Sequence, residues 1–278
     1  MAPNPGTVSS RLAWAAAAVA AVASLAGVAV TGLYRDGEAL IRTTRADDSF
    51  RLFMVLPVLA IGLWAGRRGS VGGRLVALGA LACLAYLYAF AATAAHINAM
   101  SLAQIAALGL STWALLLGLG SVDPKVVAQA VDGRLLRRTT GVFLLAIAAL
   151  SAVNWSAVLL GAAISGVQPA DIEKLGLATN PLYTIELAFL VPAFAVAGIR
   201  LLRGDRAGAV LALPLLVLLV LLGIGLAWEA AGIAAFGGAF DAGQAVAGIV
   251  FAALPALLLL PIVVRRRPGS APGEVAAA

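Results

Sequence analysis

Eight runs of about 20 residues, each nearly free of charge, divide this chain, and no other feature constrains its fold as tightly. They cover residues 12–34, 50–66, 75–95, 101–120, 141–163, 182–199, 208–229 and 244–264. A helical run of that length matches the ~30 Å hydrocarbon core of a bilayer. Inside lipid every backbone N–H and C=O must be satisfied by protein, so a spanning run is either a helix or a strand of a closed barrel. These runs show neither ten-residue alternation nor β-branched enrichment, which leaves helices. Of the 278 residues 62% are hydrophobic and 12% are charged, where a soluble domain carries about a quarter, too few charges to build a water-facing exterior. The expected fold is an all-α polytopic transmembrane bundle of about eight spans, with the lipid bilayer as its surroundings.

Basic residues orient the bundle. Of 19 Lys and Arg, 14 fall on one side: Arg11, the 67–74 and 125–138 segments, the 200–206 segment and the triplet 265–267. The other side receives Arg35, Arg42, Arg45, Arg51 and Lys174. The positive-inside rule then puts both termini in the cytoplasm, with the spans crossing the cell (inner or plasma) membrane. Most acidic residues lean to the outer side. Trp14 and Trp64 near inner ends and Tyr34, Tyr183 and Trp228 near outer ends fit interfacial belts. Tyr86, Tyr88, Trp113 and Trp155 lie deeper and are expected to face other helices. Residues 1–10 and 268–278, rich in Pro, Gly, Ser and Ala, are expected to be disordered cytoplasmic tails of a transmembrane domain at 11–267.

Many chemistries are excluded by residue supply. With one cysteine (Cys83) and one histidine (His96) the chain can form no internal disulfide, CxxC motif, Cys/His zinc cluster or HExxH site. The basic residues are dealt out between apolar runs and form no contiguous nucleic-acid patch. No Ser/His/Asp, Ser/Lys or di-acid constellation is visible, so no enzyme, metal or cofactor is expected.

Shifting the chain against itself by 135 residues pairs Pro57 with Pro192, Ala60 with Ala195, Arg68-Gly69 with Arg203-Gly204 and Gly73 with Gly208. Those identities match span two and its following turn to span six and its turn. Two parallel four-helix halves, 11–120 and 137–264, would produce that pattern, a construction used by transporters. A generic grammar of apolar run, proline, arginine and glycine would produce it too. The stretches FMVLPVLAIGLWAGRRGSVGGRLVALGALACLAYLYAF, HINAMSLAQIAALGLSTWALL and TNPLYTIELAFLVPAFAVAGIRLLRGDRAG resemble a family of uncharacterised multi-pass bacterial integral membrane proteins. That resemblance implies a helical membrane protein and no particular activity.

Polar groups in lipid need a reason, since a charge at mid-bilayer costs roughly 2.5–3.5 kcal/mol on insertion scales. Glu186 inside span six, Arg51 at its matching position in span two, His96 at the end of span three and Asn154 in span five are the candidate ligand-binding residues. Glu229 and Asp241 read as interfacial, the latter supporting a helix N-terminus. The 135-residue offset suggests that Arg51 and Glu186 meet as an ion pair between the halves. Two functions follow from this inventory. One is binding or transport of a small molecule through an outward-facing polar recess among spans two, three, five and six. The other is a structural or accessory role in which Ala- and Gly-rich helices assemble with a partner.

Overall fold

The computed structural model describes residues 5–130 and 133–264. Among the described residues it is helical, with no strand. Eight helices are long and apolar enough to cross a membrane: Gly6–Ala29, Glu38–Arg67, Val71–Ala94, Ser101–Gly120, Arg134–Ser165, Pro181–Leu202, Arg206–Ala235 and Ala242–Pro261, here spans one to eight. The chain is thus a multi-pass membrane protein. Two short helices, Pro124–Ala130 and Ala170–Leu175, lie in the connections. The 67–74 and 200–206 turns mark an arginine-rich end; the 30–37, 95–100 and 166–180 segments lie at the other, acidic end, where Asp36, Asp171 and Glu173 fall.

Several boundaries depart from the sequence expectation, among them the end of span one at Ala29 and the start of span five at Arg134, and three of the departures bear on polar residues. The first helix begins at Pro5, so residues 5–10 are its opening turns, and Ser9 there is buried and donates to the Ala114 carbonyl at 2.8 Å. The rest of the expected tails, 1–4 and 268–278, and the 265–267 triplet lie outside the described residues. Span two begins at Glu38, well before residue 50, although residues 38–51 carry six charges. The helix continues because Leu40, Thr44, Asp48, Arg51 and Val55 recur at three- and four-residue spacing and all are buried on one stripe. Span seven runs on to Ala235, which puts Glu229 inside the helix and not at its close.

Spans two and six correspond in backbone geometry at the 135-residue offset. Spans two and six each contain one π-helical turn, Arg51–Val55 and Glu186–Leu190, and each turn begins at the matching residue. The N–H of Leu56 donates to the Arg51 carbonyl and that of Val191 to the Glu186 carbonyl, five residues back in both cases. Pro57 and Pro192 follow directly. A proline ring clashes with the carbonyl four residues earlier and donates no hydrogen bond, so widening the preceding turn relieves both problems at once. The turns after these spans also match. Gly69 and Gly204 both take positive φ, 85° and 76°. Ser70 and Asp205 then cap spans three and seven, accepting from the Gly73 and Ala207 N–H groups. A Cβ on Gly73 would lie 2.8 Å from the Gly66 nitrogen, and one on Gly208 would lie 2.6 Å from the Leu201 nitrogen, again 135 residues on.

Spans three and seven form the buried centre, and they cross where a Cβ on Gly79 would lie 2.8 Å from the Pro214 carbonyl oxygen. Spans two, three and four pack in sequence, as do six, seven and eight. The first helices differ: span one lies along span four, whereas span five lies along span six through mutual contact of Gly141 and Gly198.

Candidate functional site

A cavity of about 500 Å³ opens among spans two, three, five, six, seven and eight toward the acidic end. Its centre is Glu186, the first residue of the second π turn. Tyr86 Oη donates to Glu186 Oε1 at 2.8 Å and Trp155 Nε1 donates to Oε2 at 2.6 Å, so the carboxylate is gripped from spans three and five. The Trp155 ring stands 4.8 Å from that of Tyr183, whose hydroxyl donates to Asp171 at 2.6 Å. Asn180 is bifunctional: its Oδ1 accepts from the Leu182 N–H to start span six, and its Nδ2 donates to Asp171 at 2.8 Å. Burial alone would raise the Asp171 carboxyl, but the Tyr183 and Asn180 donors outweigh it and hold the group below its ordinary range. Asp47 and Glu229 complete the acidic lining, Glu229 accepting from Gln244 Nε2 at 3.1 Å. Among the described residues four carboxylates therefore line the cavity, and no Lys, Arg or His does. Phe50, Phe90, Phe194 and Phe251 join Tyr86 and Trp155 as aromatic walls. Among the described residues no group of three or more His, Cys, Asp or Glu is placed to hold a metal ion.

The matching residue of the first half has a closed environment. Arg51 is 0% exposed, Asp48 1%. Arg51 Nη1 donates to Asp48 Oδ1, Nη2 lies 3.8 Å from Asp47, and the guanidinium stands 4.7 Å from the Tyr88 ring centroid. Tyr34 Oη donates to the other Asp48 oxygen. Burial, and then the Asp48 charge, push the Tyr34 phenol well above its ordinary value and keep it a donor. Tyr88 Oη lies 3.0 Å from Ser24 Oγ and donates to the Ala20 carbonyl, which ties the cluster to span one.

The four residues anticipated as ligand-binding thus part company. Glu186 lines the cavity, and Arg51 sits behind it, touching its wall through Asp47. The expected Arg51–Glu186 pair does not form: the arginine is neutralised by acids three and four residues before it on its own helix, within reach without crossing any interface. His96 is 74% exposed in its side chain and holds Asp36 across two connections, Nδ1 to Oδ1 at 2.6 Å. Asn154 is exposed and lies off the cavity lining. Tyr86, Tyr88 and Trp155 face other helices as expected, but Trp113 is 62% exposed, because depth along a helix does not fix which way it is rotated. Asp241 caps span eight by accepting from the Gln244 N–H, in line with its expected role. Asp47, Asp171, Asn180 and Tyr183 were not anticipated at the site. The one signal for them was a run of acids and hydroxyl-bearing residues flanking spans two and six on the same side.

Comparison with protein-family models, curated proteins and solved structures finds no match to this chain.

Proposed function

We propose that this chain binds small organic cations in a recess that faces outward, in a cell membrane with both termini cytoplasmic. The observation that carries the reading is the composition of the cavity wall: four carboxylates, six aromatic rings and no basic side chain. Hydrogen bonds from a tyrosine and a tryptophan hold the Glu186 carboxyl in position without a resident cation, and aromatic faces attract cations by about 0.5–2 kcal/mol each. A volume near 500 Å³ suits a molecule the size of a quaternary amine with a few carbon substituents. The 14-to-5 division of basic residues supports the orientation, since the cavity lies at the end with fewer arginines. Whether the ligand is held or moved through the bilayer is a second step, and the paired proline-interrupted spans favour movement.

The test is binding of tetraphenylphosphonium to the purified full chain, read by quenching of tryptophan emission. Binding should saturate, should weaken about tenfold or more in Glu186→Gln, and should be unaffected in His96→Gln. Saturable binding that Glu186→Gln leaves unchanged would reject the site. A reporter at the C-terminus that responds from outside the cell would reject the orientation separately.

A structural or accessory role draws on a different observation. Span five buries only 11% of its most apolar stretch and span eight 17%, leaving wide faces for a partner helix. That reading expects no saturable cation binding and co-purification of a second membrane protein.

A further inference from the structure

A second cavity, also of about 500 Å³, opens at the arginine-rich end between spans one, two, three and four. Arg11, Arg67 and Arg74 line it, one each from spans one, two and three, and among the described residues no acidic side chain does. All three are exposed, and among the described residues none of them takes part in a salt bridge. Arg67 stands 5.2 Å from the Trp14 ring, at the interfacial level where a headgroup would lie. Leu78 and Leu81 form an apolar back wall.

The repeat supplies a control built into the molecule. In the second half the positions matching Arg11, Arg67 and Arg74 are Ala146, Leu202 and Ala209. Ala146 lies in span five, which packs elsewhere than span one. The second half builds the same turn, with the same positive-φ glycine, side-chain cap and close glycine contact, and has Leu202 and Ala209 in place of arginine. Its one charged contact in the turn, Arg200 Nε to Asp205 Oδ2 at 2.6 Å, is internally neutralised. The turn therefore does not require Arg67 or Arg74, and with Arg11 they place three like charges around one opening, which repel unless an anion sits among them.

We propose that this cavity binds a phosphate-bearing anion, either the headgroup of an anionic phospholipid of the same leaflet or a soluble phosphate. Guanidinium groups match phosphate oxygens in paired hydrogen bonds, which favours this chemistry over a halide or a lone carboxylate. The site is separate from the cation recess and does not depend on it.

The experiment uses the full chain in nanodiscs of phosphatidylcholine alone, in nanodiscs with one-fifth phosphatidylglycerol, and in phosphatidylcholine nanodiscs with millimolar inorganic phosphate. The readouts are the thermal unfolding midpoint and the lipid retained in native mass spectrometry. The wild-type midpoint should rise with phosphatidylglycerol or with phosphate. Arg67→Gln and Arg74→Gln should each weaken the response about tenfold or more, while Arg203→Gln, in the second-half turn, should leave it intact. A response to phosphatidylglycerol alone identifies a lipid site, and a response to phosphate identifies a soluble ligand. No response to either, or equal weakening in Arg203→Gln, overturns the proposal; should Arg67→Gln or Arg74→Gln fail to fold, Arg11→Gln, at the start of span one, carries the same comparison.

Discussion

Arg51 and Glu186 open the two π turns of this molecule, and the same backbone device serves opposite ends in the two halves. In the first half the widened turn carries a cation into a region sealed by span one, where Asp48, Tyr34, Tyr88 and Ser24 close around it. In the second half span five, the counterpart of span one, lies along span six instead, and the carboxylate at the turn borders open volume. The difference teaches that a π turn before a proline sets where a polar side chain enters the bundle, while the placement of a neighbouring helix decides whether that side chain becomes structural or accessible.

The largest expected effect breaks the sealed cluster. Arg51→Leu leaves Asp48 buried without its cation and should cost about 3–5 kcal/mol, whereas Glu186→Gln, which keeps hydrogen-bonding capacity beside an open cavity, should cost about 1 kcal/mol or less. Unfolding monitored by tryptophan fluorescence in detergent measures both, and similar losses would erase the distinction between the halves.

Next in size is the approach of span one. A Cβ on Gly27 would lie 1.8 Å from Asp48 Oδ2, so Gly27→Ala must displace either the helix or the ion pair and should cost about 1–3 kcal/mol. The position matching Gly27 in span five is Ala162, already an alanine, so only the sealed half demands a glycine there. A neutral Gly27→Ala would show that the cluster is looser than its geometry.

The twin glycines test the likeness itself. Gly73→Ala and Gly208→Ala each place a methyl group against the preceding helix and should give closely similar losses, about 1–3 kcal/mol each. Damage confined to one of them would break the correspondence of the two turns.

The smallest effect separates the caps. Hydrogen bonds from the Ala207 N–H and from Arg200 hold the Asp205 carboxyl below its ordinary value of 3.8. Because the native group releases its proton more readily than the unfolded one, its contribution is full above that ordinary value and disappears as pH falls through the lowered native value. Ser70, its counterpart, does not titrate. Asp205→Ser should therefore flatten part of the acid limb of the unfolding midpoint against pH, and an unchanged limb would assign the acid sensitivity elsewhere.

The spans were legible because hydropathy sums over many residues, and one misplaced charge scarcely alters the sum. The opening of span two was not, because each charge between Glu38 and Arg51 counts against lipid when read singly, while in the fold Asp48 and Arg51 cancel. Pro57 and Pro192 announced a distortion at matching depth but not its form, since a kink and a π turn both accommodate the ring. Glu186 stood out as a solitary carboxylate in an apolar run. Asp171 did not, for an acid in a connection looks the same whether it faces water or is folded back over a recess by Tyr183 and Asn180.

The crossing of spans three and seven carries a consequence for symmetry. Four passages return a chain to the side from which it started, so two successive four-span units stand the same way up, and any rotation relating them turns about the membrane normal. On such an axis each residue meets its own counterpart. Gly79 and Pro214, separated by the 135-residue period, are counterparts in this sense, and they touch so closely that the glycine has no room for a methyl group. The axis is thereby plugged. Any solute route through this molecule must run to one side of that contact, as the recess around Glu186 does, drawing its wall from both sides of it.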